Sequence, residues 1–150
     1  MRVLVTFDSK FGNTERLARA MADALRDAHE VTFRPVADGP LTLSGYDLAL
    51  IGGPTHGRGL SAPLKSALDR LPAGPVPGLR VALFDTRFRL NRLLTGSAAL
   101  AGSRLAKNRG LALCSPGESF FVTKSGEPAL EEGELERATR WAVMLATQGL

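Results

Sequence analysis

An α/β fold is what this sequence predicts: an open, doubly wound, five-stranded parallel sheet with helices on both faces. Three observations lead there. Strand-length apolar runs alternate with amphipathic helical periods from the first residues onward. Residues 47–51 (DLALI) form a nearly continuous apolar run, as expected of a central parallel strand covered on both faces. The breaks between runs fall at Gly, Pro, Asn and Asp, which punctuate the chain without dividing it. At 150 residues, 44% of them hydrophobic, the sequence is read as one domain, residues 1–150.

The elements follow in order. Residues 2–7 (RVLVTF) are short and β-branched and give the first strand. Residues 13–27 give a helix with Leu17, Met21 and Leu25 on one stripe, Ala18 and Ala24 between, and Arg16, Arg19, Asp23 and Arg26 opposite. A second strand covers 29–36 and ends at the turn Asp38-Gly39-Pro40. The third, residues 47–51, stops at Gly52-Gly53-Pro54. A short helix over 63–71 carries Leu64, Ala67, Leu68 and Leu71 on one side and ends at PAGPVPG, read as a loop. Residues 80–84 form the fourth strand, and a basic stretch leads into a helix over 97–108 that stops at Gly110. The fifth strand begins at 111–114 and resumes at 119–122 after Pro116-Gly117. The last helix, 131–147, buries Leu135, Ala138, Ala142 and Leu145, and Trp141 beside that stripe is expected on the sheet.

Composition narrows the function classes. The single cysteine, Cys114, excludes an internal disulfide framework and a cysteine-cluster metal site, and points to a reducing compartment. No apolar run approaches the roughly 18 residues of a membrane span, so no membrane association and a cytoplasmic location are expected. The net charge of +4 is unevenly placed. Residues 80–110 hold seven basic side chains and one acid, whereas 111–150 hold three and six. The basic segment lacks interleaved aromatics or a recognition-helix pattern, which argues against nucleic acid.

In a doubly wound sheet, ligands bind beyond the carboxyl ends of the strands, so three loops are candidates. The first runs Asp8-Ser9-Lys10-Phe11-Gly12-Asn13-Thr14 into a helix N-terminus, where free amides and the helix dipole can hold an anion such as phosphate. Ser9, Asn13 and Thr14 add short donors, Gly12 permits close approach, and Ser9 or Asn13 could equally cap the helix. The second, Gly52 to Ser61, places Pro54, Thr55, His56, Gly57 and Gly59 where backbone can pass a flat ligand. The third begins Asp85-Thr86-Arg87-Phe88 and continues through Arg89, Arg92, Thr95, Gly96 and Ser97. No residue stands out as a catalytic group.

Three segments resemble the flavodoxin family. S-K-F-G-N-T (9–14) is similar to its FMN-phosphate loop, YDLALIGGPTHGRG (46–59) to its second flavin loop, and residues 118–142 (ESFFVTKSGEPALEEGELERATRWA) to its closing strand and helix. The resemblance implies strand order 2-1-3-4-5 and FMN as cofactor. It implies phosphate contacts at Ser9, Lys10, Gly12, Asn13 and Thr14, with the ring between Pro54, Thr55, His56, Gly57, Gly59 and the segment from Thr86, Arg87 and Phe88 to Ser97. Family members commonly flank the ring with Trp or Tyr. Here Trp141 and Tyr46 are the only two such residues and lie elsewhere, leaving His56 and Phe88.

The implied role is carrying electrons between proteins, with an acidic redox partner matching the basic segment. Two alternatives stand beside it: an FMN-dependent oxidoreductase of quinone or porphyrinogen type, and a flavodoxin-shaped binding or regulatory module that has lost FMN. If Arg87, Arg89 and Arg92 border the ring, their charge favours the anionic reduced flavin and makes the final reduction step less negative than in acidic relatives.

Overall fold

The computed structural model describes residues 1–124 and 126–148. Five parallel strands lie in the order β2-β1-β3-β5-β6: β1 (Arg2–Phe7), β2 (Glu30–Pro35), β3 (Leu48–His56), β5 (Arg80–Phe88) and β6 (Glu118–Val122). Counting parallel strands alone, this is the expected 2-1-3-4-5. A two-residue strand, β4 (Gly59–Leu60), folds back antiparallel on the end of β3 and was not foreseen. Helices α1 (Asn13–Leu25) and α5 (Glu134–Thr147) cover one face. Helices α2 (Ala62–Asp69) and α4 (Ala98–Asn108) cover the other.

Each face has its own core. Val3, Val5, Leu50, Phe84 and Phe120 meet Leu17, Met21, Trp141 and Leu145 on the first, and Leu4, Ile51, Val81 and Leu83 meet Leu64, Leu68 and Ala106 on the second. Successive residues of β1, β3 and β5 thus feed opposite cores, which is why these strands read as continuous apolar runs. Trp141 is buried as expected and packs edge-on against Phe84 and Phe120, at 6.1 and 5.9 Å between ring centroids. Leu135, expected in the core, is only half-buried at its margin.

The structure corrects the sequence reading at several boundaries. β3 does not stop at Gly52-Gly53-Pro54 but runs on to His56, pairing Pro54 with Thr86 of β5. β1 pairs with β3 only as far as Gly52, so Pro54 lies past that neighbour, where its missing N–H leaves no ladder bond unmade. Gly52 and Gly53, read as glycines for a flat ligand, are buried packing positions. A Cβ on Gly52 would lie 2.2 Å from the Phe84 ring, and one on Gly53 would lie 2.7 Å from Leu64. β5 continues to Phe88 because β6 pairs with Phe84 through Phe88, so Thr86, Arg87 and Phe88 are strand and not loop. Residues 111–114 make only an isolated bridge, Val81 with Leu113, before the chain swings out and returns as β6. Cys114 is therefore outside any strand and half-buried, and burial raises its thiol pKa.

The last helix begins at Glu134, three residues later than expected. The acid there does more than complement the helix dipole. Glu134 accepts the Phe121 N–H at 2.7 Å and pairs with Arg137, also at 2.7 Å, and Arg137 reaches Glu118 at 2.9 Å, tying α5 to edge strand β6. Burial acts to raise the Glu134 pKa, but the Arg137 and Phe121 hydrogen bonds outweigh it and hold the carboxyl below its ordinary value. A depressed carboxylate stabilises the fold above its unfolded pKa and stops doing so as pH falls through the folded value. Glu134→Gln is therefore expected to lower stability by about 2 kcal/mol at pH 7. Urea titrations repeated at decreasing pH should show the gap to the wild type closing in acid.

Candidate functional site

One cavity of about 330 Å3 opens at the carboxyl ends of β1, β3 and β5, where the strand order reverses direction. It collects residues from all three predicted loops: Lys10, Asn13 and Thr14 from the first, Pro54, Thr55, His56 and Gly57 from the second, and Thr86, Arg87 and Phe88 from the third. Ser9, Gly12 and Gly59 do not line it. Phe11, Arg58, Leu90, Leu94 and Thr95, which lie inside the three predicted loops but were not singled out as ligand contacts, also line it, and Val122, Lys124 and Pro128, which sequence reasoning missed, complete the wall. Of these, Phe11 carried a signal, an aromatic inside a Gly/Asn/Thr loop. It is 53% exposed at the cavity edge.

The first loop is built to present amides. Gly12 takes φ 87° immediately before α1, a conformation glycine adopts at little cost, and this turns the chain into the helix. The Ser9 hydroxyl accepts from the N–H of Gly12 at 3.1 Å and of Glu15 at 3.3 Å, so Ser9 fixes the loop in the capping manner. The N–H groups of Asn13 and Thr14 lie in the first turn, where the helix supplies no acceptor. The Asn13 side chain instead donates to the Pro128 carbonyl at 2.7 Å, fastening the loop to the segment after β6. The Thr14 and Thr86 hydroxyls meet at 3.3 Å, joining two of the predicted loops inside the cavity wall.

The second loop is a tight hairpin. Thr55 pairs with Leu60 and His56 with Gly59, leaving Gly57 (φ 51°) and Arg58 (φ 74°) as a two-residue turn with both φ positive. Arg58 is the only described non-glycine residue in that region, and it is held there from outside. Its guanidinium donates to the Leu93 carbonyl, its backbone bridges Gly96, and a Cβ on Gly96 would lie 1.9 Å from the Arg58 carbonyl oxygen. Thr55 adds a further tie by accepting from the Ala98 N–H at 3.1 Å. The second and third loops therefore form one joined rim.

Arg87 organises the third loop. Its Nε donates to Ser119 Oγ at 2.9 Å and its Nη1 to the Leu90 carbonyl at 2.8 Å, which supports a one-turn helix, α3 (Arg92–Thr95), over the cavity. Burial lowers its pKa, with Arg92 and Arg89 adding to that and Asp85 opposing it. The condition that Arg87, Arg89 and Arg92 all border the cavity is met by Arg87 alone. Arg87 lines the cavity, but Arg89 turns away to pair with Glu131 at 3.0 Å and stacks 4.0 Å over the Phe121 ring, and Arg92 stands on α3 outside the wall. Behind the rim, fully buried Asp85 accepts from the Ser97 hydroxyl at 2.5 Å and the Ala99 N–H at 2.9 Å, capping α4. Burial raises its pKa.

The lining is electrostatically one-sided. Lys10, Arg58, Arg87 and Lys124 contribute to it, and no Asp or Glu does. The remaining wall is largely apolar, so the site suits a ligand with a flat apolar body and an anionic end. Such a cleft lies at the switch point of an open parallel sheet and next to open amides of a helix N-terminus, the place where doubly wound domains commonly receive a ligand.

The family model for flavodoxin matches residues 5–85. Flavodoxin 1 from Bacillus cereus, in its oxidised form, superposes with a TM-score of 0.76 at 20% identity, covering 99% of both chains. A flavodoxin from the domain Archaea gives 0.75 at 18% identity over 97% of this chain and 96% of that one. Rubredoxin oxygen:oxidoreductase from Desulfovibrio gigas gives 0.72 at 15% identity, with 97% of this chain covering 35% of that one. A search of curated protein sequences finds no match. The chain belongs to the flavodoxin family.

Proposed function

We propose that the protein binds FMN in this cavity and carries electrons between protein partners. The observation that carries the reading is the charge of the cavity: four cations and no acid, set against the open first turn of α1. Phosphate is dianionic near neutral pH, and amides at a helix N-terminus together with Lys10 and the Thr14 hydroxyl are suited to hold it. Pro54, Thr55, His56 and Gly57 on one side and Thr86, Arg87 and Phe88 on the other form the slot for the ring. Ser9 and Gly12 shape the loop, and Gly59 closes the hairpin, without lining the cavity. Bound FMN would supply reversible electron storage. The chain's part is to grip the phosphate, exclude water from one side of the ring and set the local potential with Arg87.

Phe11 enlarges the aromatic set available at the cavity to Phe11, Phe88 and His56, which favours a flavin over a purely aliphatic ligand. The described residues contain no helix long and apolar enough to cross a membrane. We place the protein in the cytoplasm, as a single domain with a basic docking face that suits an acidic partner.

The test is a visible absorption spectrum before and after addition of FMN and desalting. Retained flavin bands support the reading, and a bare spectrum moves it to a binding module without the cofactor. Thr14→Ala is expected to raise the FMN Kd about tenfold or more through loss of one charge-assisted hydrogen bond. Thr14→Ser should restore much of the affinity, with circular dichroism showing the fold intact in both.

A further inference from the structure

Among the described residues six large apolar side chains stand exposed, and four of them gather in one place: Phe11, Leu90, Leu93 and Leu94. Phe11, Leu90 and Leu94 edge the cavity, while Leu93, 78% exposed, stands beside Leu94 on α3 without lining it. Three leucines displayed within five residues leave apolar surface in water, at a cost in solvation free energy.

Their backbone is held firmly from beneath. Asn91 accepts the Leu93 N–H at 2.9 Å, Arg58 donates to the Leu93 carbonyl, and Arg87 donates to the Leu90 carbonyl. The segment is thus presented in a fixed shape, which lowers the ordering cost of binding. The cavity lining beside the leucines carries charge of one sign. Arg92 lies on α3, and Arg58, Lys10 and Lys124 ring the mouth, with no acid in the lining. The field ends at Arg89, which Glu131 neutralises.

We propose that α3 docks an acidic redox protein across the cavity mouth, with Leu93 and Leu94 as the dry centre and Arg92, Arg58 and Lys124 as the rim. This rests on the FMN reading, because the mouth is where electrons would pass. An apolar centre inside a single-sign rim is the anatomy of a specific, steered, short-lived interface. A second copy of this chain is a poor occupant, since an isologous contact would set two cationic rims against each other.

The experiment measures binding of an acidic [2Fe–2S] ferredoxin, as probe, to the FMN-loaded protein by calorimetry at about 20 and about 200 mM salt. Expected is affinity that falls at least about tenfold between the two. Leu93→Ser should weaken binding roughly fivefold while leaving the flavin spectrum and salt dependence unchanged, and Arg92→Glu should reduce the salt dependence itself. Unchanged affinity in Leu93→Ser overturns the proposal. So does equally tight binding of a basic cytochrome c, a concentration-dependent dimer abolished by Leu93→Ser, or sedimentation with phosphatidylglycerol vesicles without ferredoxin binding. Failure to retain FMN is read separately from the absorption spectrum and defeats only the cofactor reading, because the same titration can be run on the flavin-free protein.

Discussion

Arg87→Gln in the FMN-loaded protein is expected to lower the potential of the final reduction step by roughly 50 mV, on the order of 1 kcal/mol for one electron. A guanidinium facing the ring favours the form that carries negative charge, so its removal shifts the balance toward the oxidised form. Of the basic side chains from 86 to 97, only Arg87 lines the cavity; Arg89 is matched by Glu131 and turned toward Phe121. Arg89→Gln is therefore expected to leave the potential nearly unchanged. Because Arg87 also supports the Leu90 and Thr95 segment through hydrogen bonds, Arg87→Lys serves as the control that keeps charge without the fork. A potential that falls in the Lys variant as far as in the Gln variant would assign the effect to loop position and not to charge. Spectroelectrochemical titration reads all three.

The second large effect lies in the core. Gly52→Ala is expected to destabilise the protein by about 3 kcal/mol, at the upper end of overpacking costs. Its Cβ would lie 2.2 Å from the Phe84 ring, and that ring has no room to retreat, being fully buried and edge-packed against both Phe120 and Trp141. Phe84→Leu alone should also destabilise, by loss of buried aromatic contact. Combined, the two changes should cost less than their sum, because the smaller side chain vacates the space that the new methyl needs. Chemical denaturation of the four proteins completes the cycle, and simple additivity would show that Phe84 is not what excludes a side chain at 52. The cost should reach the cavity too, since Gly52 is two residues from Pro54 in β3.

Much of the fold was legible in the residues. The continuous apolar runs of β1 and β3 and the stripes of α1 and α5 announce parallel strands covered twice, because burial on both faces leaves no polar alternation to obscure them. The loop leading into α1 was legible for a related reason. A helix N-terminus that must present amides uses Ser, Gly, Asn and Thr at short range, and local geometry leaves local residues. The beginning of the fifth strand near 111 was only half readable, because a bridge at Leu113 and a ladder at 118–122 share one strand line interrupted by a loop.

Other features needed the tertiary structure. Gly52 and Gly53 have the composition of a ligand loop, but Phe84 and Leu64, one remote by more than thirty residues, make them core positions. Arg87, Arg89 and Arg92 are alike in sequence, and only the end of β5 at Phe88, which leaves Arg87 on the strand and Arg89 beyond it, and the position of Glu131 separate the one that lines the cavity from the one that is paired. The Arg58 hairpin, clasped to Gly96 and Leu93, cannot be read from G-R-G because the residues that hold it lie about 35 positions away. By itself the sequence determined the strands, the helices, their order and the short polar loop before α1, since these follow from burial periodicity and backbone chemistry within a few residues. The cavity's charge, its joined rim and the leucines displayed on α3 were decided only by folding, since they depend on which distant side chains share one end of the sheet.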